Sequence, residues 1–266
     1  MNSMAIEIER LSVTAGRKRI LEVDALTVGS GELLAVMGPN GAGKSTLLRA
    51  CLGMQPGASG RVRLFGQDLG RLGSPALTRL RRSVGYVPQA LPVHGEMPLT
   101  VREVVSIGRV GRAGLFRPLS RADWLTVDDW MERLGIAMLA GSAFHELSGG
   151  EQRKTVLAGA MVQEPRLLLL DEPTANLDLG WRERIVETVR LLHAQNRLAV
   201  VLVCHELEAL PPSCARVALL DHGQVIGDGP PEEALTDQQV AALYGPGLTA
   251  VHQGGRHAVI PRGGRT

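Results

Sequence analysis

Aromatic side chains are scarce in this chain, with three Trp, two Tyr and three Phe among 266 residues. So few rings offer little to stack nucleic-acid bases on, and a formal net charge of +2 is too small to hold a polyanion. No nucleic-acid partner is expected. Cysteine is equally sparse: Cys51, Cys204 and Cys214 are an odd number with no CxxC pair, which argues against a disulfide framework and for a reducing, cytoplasmic compartment. Long apolar runs are missing too. The best, residues 198–204, covers seven positions against the ~20 a spanning helix needs, and residues 1–31 show no charged-then-apolar leader. The chain is not expected to cross a membrane by itself.

What is present is an ordinary globular balance, 44% hydrophobic and 21% charged, at a length that allows one elaborated domain. Residues 5–11 and 21–28 alternate around Gly16, as antiparallel strands do. The basic run Gly16-Arg17-Lys18-Arg19 reads as a solvated turn, and Arg79 to Arg82 as the polar end of a helix. Residues 33–37 are continuously apolar, end in glycines and lead into a helix over 45–52: a buried strand feeding a helix. Residues 67–139 are more polar and helical in pattern. From Leu147 on, α/β alternation returns, with a helix at 151–162, a strand at 167–170, a helix at 181–193 and a strand at 199–204. Hairpins are expected at 217–227 and at 248–260.

Gly38-Pro39-Asn40-Gly41-Ala42-Gly43-Lys44-Ser45-Thr46 satisfies G-x-x-x-x-G-K-[ST] between the expected strand and helix, the context of a phosphate-binding loop. The glycines let successive N–H groups and the helix N-terminus face phosphates; Lys44 adds charge and Ser45 a magnesium ligand. Leu167-Leu168-Leu169-Leu170-Asp171-Glu172 is a buried strand ending in two carboxylates. Asp171 is expected to hold Mg2+ and Glu172 to act as general base toward water. These two motifs indicate nucleotide hydrolysis and leave its purpose open.

Leu147-Ser148-Gly149-Gly150-Glu151-Gln152, with Ser148 placed 23 residues before Asp171, resembles the signature of ATP-binding cassette (ABC) ATPases. Together the motifs identify the chain as resembling that family along nearly its whole length. The resemblance implies ATP and Mg2+ as cofactors, with Gln89 of Tyr86-Val87-Pro88-Gln89 sensing the metal and the attacking water. It also implies a D-loop at Asn176-Leu177-Asp178, and a histidine, His205, at the γ-phosphate, 34 residues after Asp171. Ser148, Gly149 and Gly150 would serve the nucleotide of a second copy. The aromatic residue that the family usually stacks on adenine is replaced by Ala15. His94, His145, His193, His222, His252 and His257 show no ligand spacing and are expected to be structural.

The implied fold is α/β: a P-loop NTPase core of ABC type with a mixed sheet, a peripheral antiparallel β-subdomain and an inserted helical subdomain. Residues 1–88 and 164–245 would form the catalytic core, 89–163 the helical part with the signature, and 246–266 a terminal hairpin and tail. The implied work is ATP hydrolysis by a homodimer on the inner face of the membrane, driving import through a separate integral membrane permease, with a solute-binding protein in the same system. The stretch Thr100 to Arg109, with Gly114-Leu115-Phe116-Arg117 and Ser120 to Asp123, resembles importers of divalent metal ions and metal chelates. Two rivals are weighed. A soluble ABC protein acting on nucleic acid or ribosomes would carry two cassettes or a coiled coil, and a P-loop kinase would have no use for the signature.

Overall fold

The computed structural model describes residues 3–90, 99–114 and 117–262. The chain opens with two long strands, β1 (Met4–Ala15) and β2 (Lys18–Gly29), paired antiparallel across the Gly16-Arg17 turn. Then come β3 (Leu33–Met37), the phosphate-loop segment, and α1 (Lys44–Cys51). β4 (Ala58–Leu64) and β5 (Gln67–Asp68) extend the antiparallel strands, with β4 on β1. The helix expected around Arg79 to Arg82 is α2 (Ser74–Arg81), followed by β6 (Val84–Val87).

The strands β5 and β6 correct the helical reading of 67–139. β6 is a four-residue edge strand, too short to display a period, and only its parallel pairing with a neighbouring strand makes it one. Gly85 within it is required to be small, because a Cβ there would sit 3.0 Å from Leu168 Cδ1 and 3.2 Å from the Ala160 carbonyl.

The helices follow: α3 (Val101–Ala113), α4 (Arg121–Arg133) and α5 (Gly149–Met161). Each begins with a reciprocal capping box, Thr100 with Glu103, Ser120 with Asp123, and Ser148 with Glu151, which explains why these helices start where they do. α3 and α5 cross where Gly108 lies so close that a Cβ would come within 1.9 Å of the Gly159 carbonyl. Arg102 pairs bidentately with Asp128, and Arg109 with Asp123, fastening α3 to α4. Thr100, Arg109, Ser120 and Asp123, which carried the importer resemblance, are thus engaged in capping and pairing inside the chain. Leu115 and Phe116, and likewise His94, lie outside the described residues.

The remaining elements are β7 (Leu167–Asp171), α6 (Leu179–Asn196), β8 (Ala199–Cys204), β9 (Arg216–Asp221), β10 (Gln224–Gly229), α7 (Pro231–Ala234) and α8 (Asp237–Tyr244). Last come β11 (Leu248–Gln253) and β12 (Arg256–Pro261), an antiparallel pair forming a sheet of its own. All other strands join one mixed sheet in the order β5-β4-β1-β2-β10-β9-β3-β8-β7-β6. β9, β3, β8, β7 and β6 run parallel; the antiparallel strands attach to them through β10, which meets β2 at the single pair Gln224 and Glu22.

The apolar strands are buried on both faces, and their period of two divides them between two cores. Leu33, Ala35 and Met37 of β3, Leu168 and Leu170 of β7, and Val200 and Leu202 of β8 face the core beneath α3, α4, α5 and α6. Leu34, Val36, Leu167, Leu169, Val201 and Val203 face the other, where Leu47 and Leu48 of α1 meet Ile6, Ile8 and Leu64 of the antiparallel strands. α1 is therefore wedged between the two halves of the sheet, with its N-terminus at the C-terminal ends of the parallel strands, where ligands bind in open α/β sheets. Among the described residues no helix is long and apolar enough to cross a membrane.

Candidate nucleotide site

The loop between β3 and α1 turns on glycines whose roles are separable. Gly38 has φ 153°, and a Cβ there would lie 1.9 Å from the Leu220 carbonyl. Gly43, at φ 102°, sits against the Ile20 carbonyl and begins α1 with no side-chain cap, so the first amides of the helix stay free for an anion. Ala42 is buried and its carbonyl accepts from Gly223 N, which anchors the loop to the turn between β9 and β10.

Lys44 is buried and folds back over this loop, donating to the Gly38 carbonyl at 2.8 Å and the Pro39 carbonyl at 3.0 Å, with Nζ 3.6 Å from Glu172 Oε1. Ser45 donates to Asp171 Oδ1 at 2.8 Å, and Tyr86 to Asp171 Oδ2 at 3.4 Å. Burial raises the Asp171 carboxyl above its usual range, with Ser45 working against the shift and the neighbouring Glu172 adding to it. Burial likewise pushes the Tyr86 phenol up to about 12, the Asp171 charge adding to the effect.

Glu172 is where the elements converge. Its backbone is left-handed at φ 48°, a conformation that costs a residue with a Cβ on the order of 1–2 kcal/mol and is held here by the Glu172 N–H bond to the Val203 carbonyl. Gln89 donates from Nε2 to Glu172 Oε2 at 2.8 Å. His205 Nδ1 stands 3.4 Å from the same oxygen and is a buried atom with no hydrogen-bond partner among the described residues.

A cavity of about 790 Å³ opens here, walled by Ile20, Asn40, Gly41, the residues from Gly43 to Thr46, Gln89, Glu172, Ala175 to Leu177, Arg182 and His205. Asp171 lies behind Ser45. Ser148, Gly149, Gly150 and Asp178 are not in this wall. Asp178 caps α6 through Trp181 N at 2.9 Å, and exposed Ser148 caps α5. Nor is Ala15 in the wall; it is exposed at the end of β1, whereas Ile20 of β2 does line the cavity.

A hard divalent cation fits the oxygen donors present. The Ser45 hydroxyl and Asp171 carboxylate already adjoin, and with Gln89 Nε2 turned to Glu172 its carboxamide oxygen accepts no hydrogen bond among the described residues; Mg2+ is ordinarily held by a few such groups together with water and phosphate.

Several participants escaped the sequence reading. Arg153 of α5 is buried, donating to the Pro88 carbonyl at 2.9 Å and the Gln89 carbonyl at 3.2 Å, so the signature helix holds the backbone of the Gln89 segment. Burial lowers its guanidinium below the ordinary value, Asp171 partly restoring it. Tyr86 and Ile20 were also not assigned. Of the other histidines, His193 bonds the Gly31 carbonyl at 2.8 Å, and His252 faces His257 across the β11–β12 pair with Nδ1 atoms 2.7 Å apart.

Residues 21–175 match the family model described as ABC transporter. The chain belongs to the ABC transporter family. It is 36% identical over 250 residues to the ABC transporter ATP-binding protein YvrA of Bacillus subtilis, covering 93% of this chain and 55% of that one. It is 38% identical over 251 residues to the phosphonates import ATP-binding protein PhnC of Burkholderia pseudomallei (91% and 80% covered). With the hemin import ATP-binding protein HmuV of Streptomyces coelicolor it shares 40% over 234 residues (88% and 81%). Among solved structures it is similar to a dimeric ATP-binding cassette bound to ADP and Pi, at TM-score 0.73 and 25% identity, covering 85% of this chain and 98% of that one. The sequence-expected ABC fold, with its mixed sheet and helical insertion, is thus the fold of this family member.

Proposed function

We propose that this ABC family member is the ATP-hydrolysing subunit of an importer, working as a pair of copies beneath a separate membrane permease. The observation that carries the reading is the convergence of Lys44, Gln89 and His205 on the buried carboxylate Glu172 beside the phosphate loop. The amides of the loop, Asn40 to Thr46, and Lys44 take the phosphates of ATP, and Lys44 exchanges its carbonyl partners for phosphate oxygen. Ser45 and Asp171, with Gln89, would hold Mg2+, which supplies charge neutralisation at the phosphates. Glu172 accepts a proton from water as the water oxygen bonds to the γ-phosphorus and the bond to the β-bridging oxygen breaks, releasing ADP and phosphate. His205 is placed to donate to the γ-phosphate.

Ser148, Gly149 and Gly150 are absent from the chain's own cavity wall, which supports a head-to-tail pair in which they complete the partner copy's site. The dimeric relative with ADP and Pi adds support by similarity. Binding ATP would close the pair, and hydrolysis would open it. The helices α3, α4 and α5, with Gln89 and Arg153, would pass this movement to the permease. The chain would then sit peripherally on the cytoplasmic face, with a solute-binding protein in the same system.

For cargo we favour a metal chelate over a bare divalent ion, from the similarity to HmuV and to the cobalamin import ATP-binding protein BtuD of Halobacterium salinarum, 37% identical over 241 residues. PhnC makes phosphonate the competing cargo. Deleting the gene and measuring uptake of haem, cobalamin, divalent metals and phosphonates separates these. Loss confined to a chelate supports the reading, while loss of phosphonate uptake alone, or of none, contradicts it.

A further inference from the structure

The signature segment rests on an indole ring. Gly150, in the first turn of α5, is buried because Trp181 covers it; a Cβ there would lie 1.9 Å from Trp181 Cδ2, 2.3 Å from Cε3 and 2.5 Å from Cε2. Only a glycine allows that approach. Beside it, Gly149 faces Leu177, whose Cδ2 would be 3.4 Å from an added Cβ. The Trp181 backbone N–H is the group that Asp178 caps at 2.9 Å, so one residue joins the start of the signature helix to the Asn176-Leu177-Asp178 turn. Two cations steady the ring from different helices: Lys154 Nζ of α5, 5.9 Å from the ring centroid, and Arg184 Cζ of α6, 4.9 Å.

We propose that Trp181 is a positioning residue that locks Ser148 to Gly150 onto the Asn176 to Asp178 turn, so that the two reach the partner copy's nucleotide as one rigid unit. This rests on the head-to-tail reading above. The Gly149-Gly150 pair has no side chains of its own to fix its backbone, and helix capping by Ser148 and Glu151 sets only the start of the helix, not its distance from the turn. Without the indole the amides at Gly149 and Gly150 lose their support. A shift of about 1 Å at groups that contact a reacting phosphate lowers turnover steeply. The larger effect falls on the partner's site, since neither Trp181 nor Ser148 to Gly150 lines the chain's own cavity, whereas Asn176 and Leu177 of the turn do line it and carry a smaller effect there.

The test uses mixed dimers purified by two tags, one chain Lys44→Ala and the other Ser148→Arg, so that one site has both lesions and the other joins an intact phosphate loop to an intact signature. ATP-induced crosslinking between chains and ATP turnover are measured at saturating ATP. If such dimers form but regain neither closure nor turnover, the head-to-tail reading itself fails, and this proposal with it. Given regained activity, Trp181→Ala on the Lys44→Ala chain, which supplies the working signature, is expected to lower turnover by ~10-fold with little change in KM. On the Ser148→Arg chain, where Trp181 reaches the working cavity only through Asn176 and Leu177, the loss should be clearly smaller, about 2-fold. Trp181→Phe, retaining a flat ring, should restore most of the loss, and Trp181→Leu supports the same comparison should the alanine variant not fold. Equal losses in both arrangements, or loss in neither, would overturn the proposal.

Discussion

Gln89 donates from Nε2 to Glu172 Oε2 at 2.8 Å, joining the end of β6 to the end of β7 across 83 residues of sequence. The same Gln89 has its backbone carbonyl held by Arg153 of the signature helix at 3.2 Å. The Arg153 guanidinium and the Gln89 carboxamide thus link α5 to the carboxylate assigned to proton transfer through two hydrogen bonds.

Arg153 should accordingly be more than a helix residue. Replacing it with Ala removes two charge-assisted bonds to the Pro88 and Gln89 carbonyls and leaves those carbonyls without that donor, at a cost of roughly 1.5–3 kcal/mol. Thermal unfolding should shift down, and ATP turnover should fall while ATP affinity is largely kept. Unchanged turnover in a folded variant would mean that the Gln89 segment does not depend on α5.

Lys44→Ala should lose nucleotide binding itself, because the variant removes the positive charge facing the phosphates. Calorimetry with ATP and Mg2+ reads this directly. An unchanged affinity would remove Lys44, and with it the phosphate loop, from the account.

Two positions separate the ways in which the base of ATP could be held. Ile20 lines the cavity and Ala15 does not, so Ile20→Ala should weaken ATP binding by about 0.5–1.5 kcal/mol through lost apolar contact. Ala15→Trp should tighten it by a similar ~0.5–1.5 kcal/mol only if the new ring extends over the base. If Ile20→Ala binds ATP as before, the base does not lie against Ile20.

His257 sets a pH dependence of stability. Burial, with His252 facing it, holds its imidazole below the ordinary value, Glu232 opposing. The folded chain keeps His257 neutral while the unfolded chain takes up a proton below about pH 6.5, so stability is full above that pH and falls as pH drops toward the lower folded value. Unfolding temperatures measured from pH 7.5 to 5 should decline less steeply for His257→Phe than for the natural chain. Parallel declines would show that another group is responsible.

The candidate phosphate loop is legible in the sequence because its chemistry is local: Gly38, Gly41, Gly43, Lys44 and Ser45 lie in one short stretch whose spacing has few other uses. Asp171 and Glu172 were legible for the same reason, at the end of four leucines. Arg153 was not, since an arginine inside a helix ordinarily faces water, and only packing α5 against the Gln89 segment buries it. Likewise β6 emerges only from its pairing with β7, and the expectation of helix over 67–139 gave way there. Ile20 and Trp181 lie against residues far away in sequence, Gly43 and Gly150, a proximity that only the tertiary fold creates.

Glu172 is assigned to accept the proton of the attacking water, and Glu172→Gln isolates that role, because the amide keeps the shape and loses the basicity. ATP binding by calorimetry, ATP-dependent dimer formation by crosslinking and phosphate release are measured on the same preparation with Mg2+. The account predicts that the variant binds ATP, accumulates as the closed dimer and releases phosphate ~100-fold or more slowly than the natural chain. Phosphate release at a near-natural rate would contradict it.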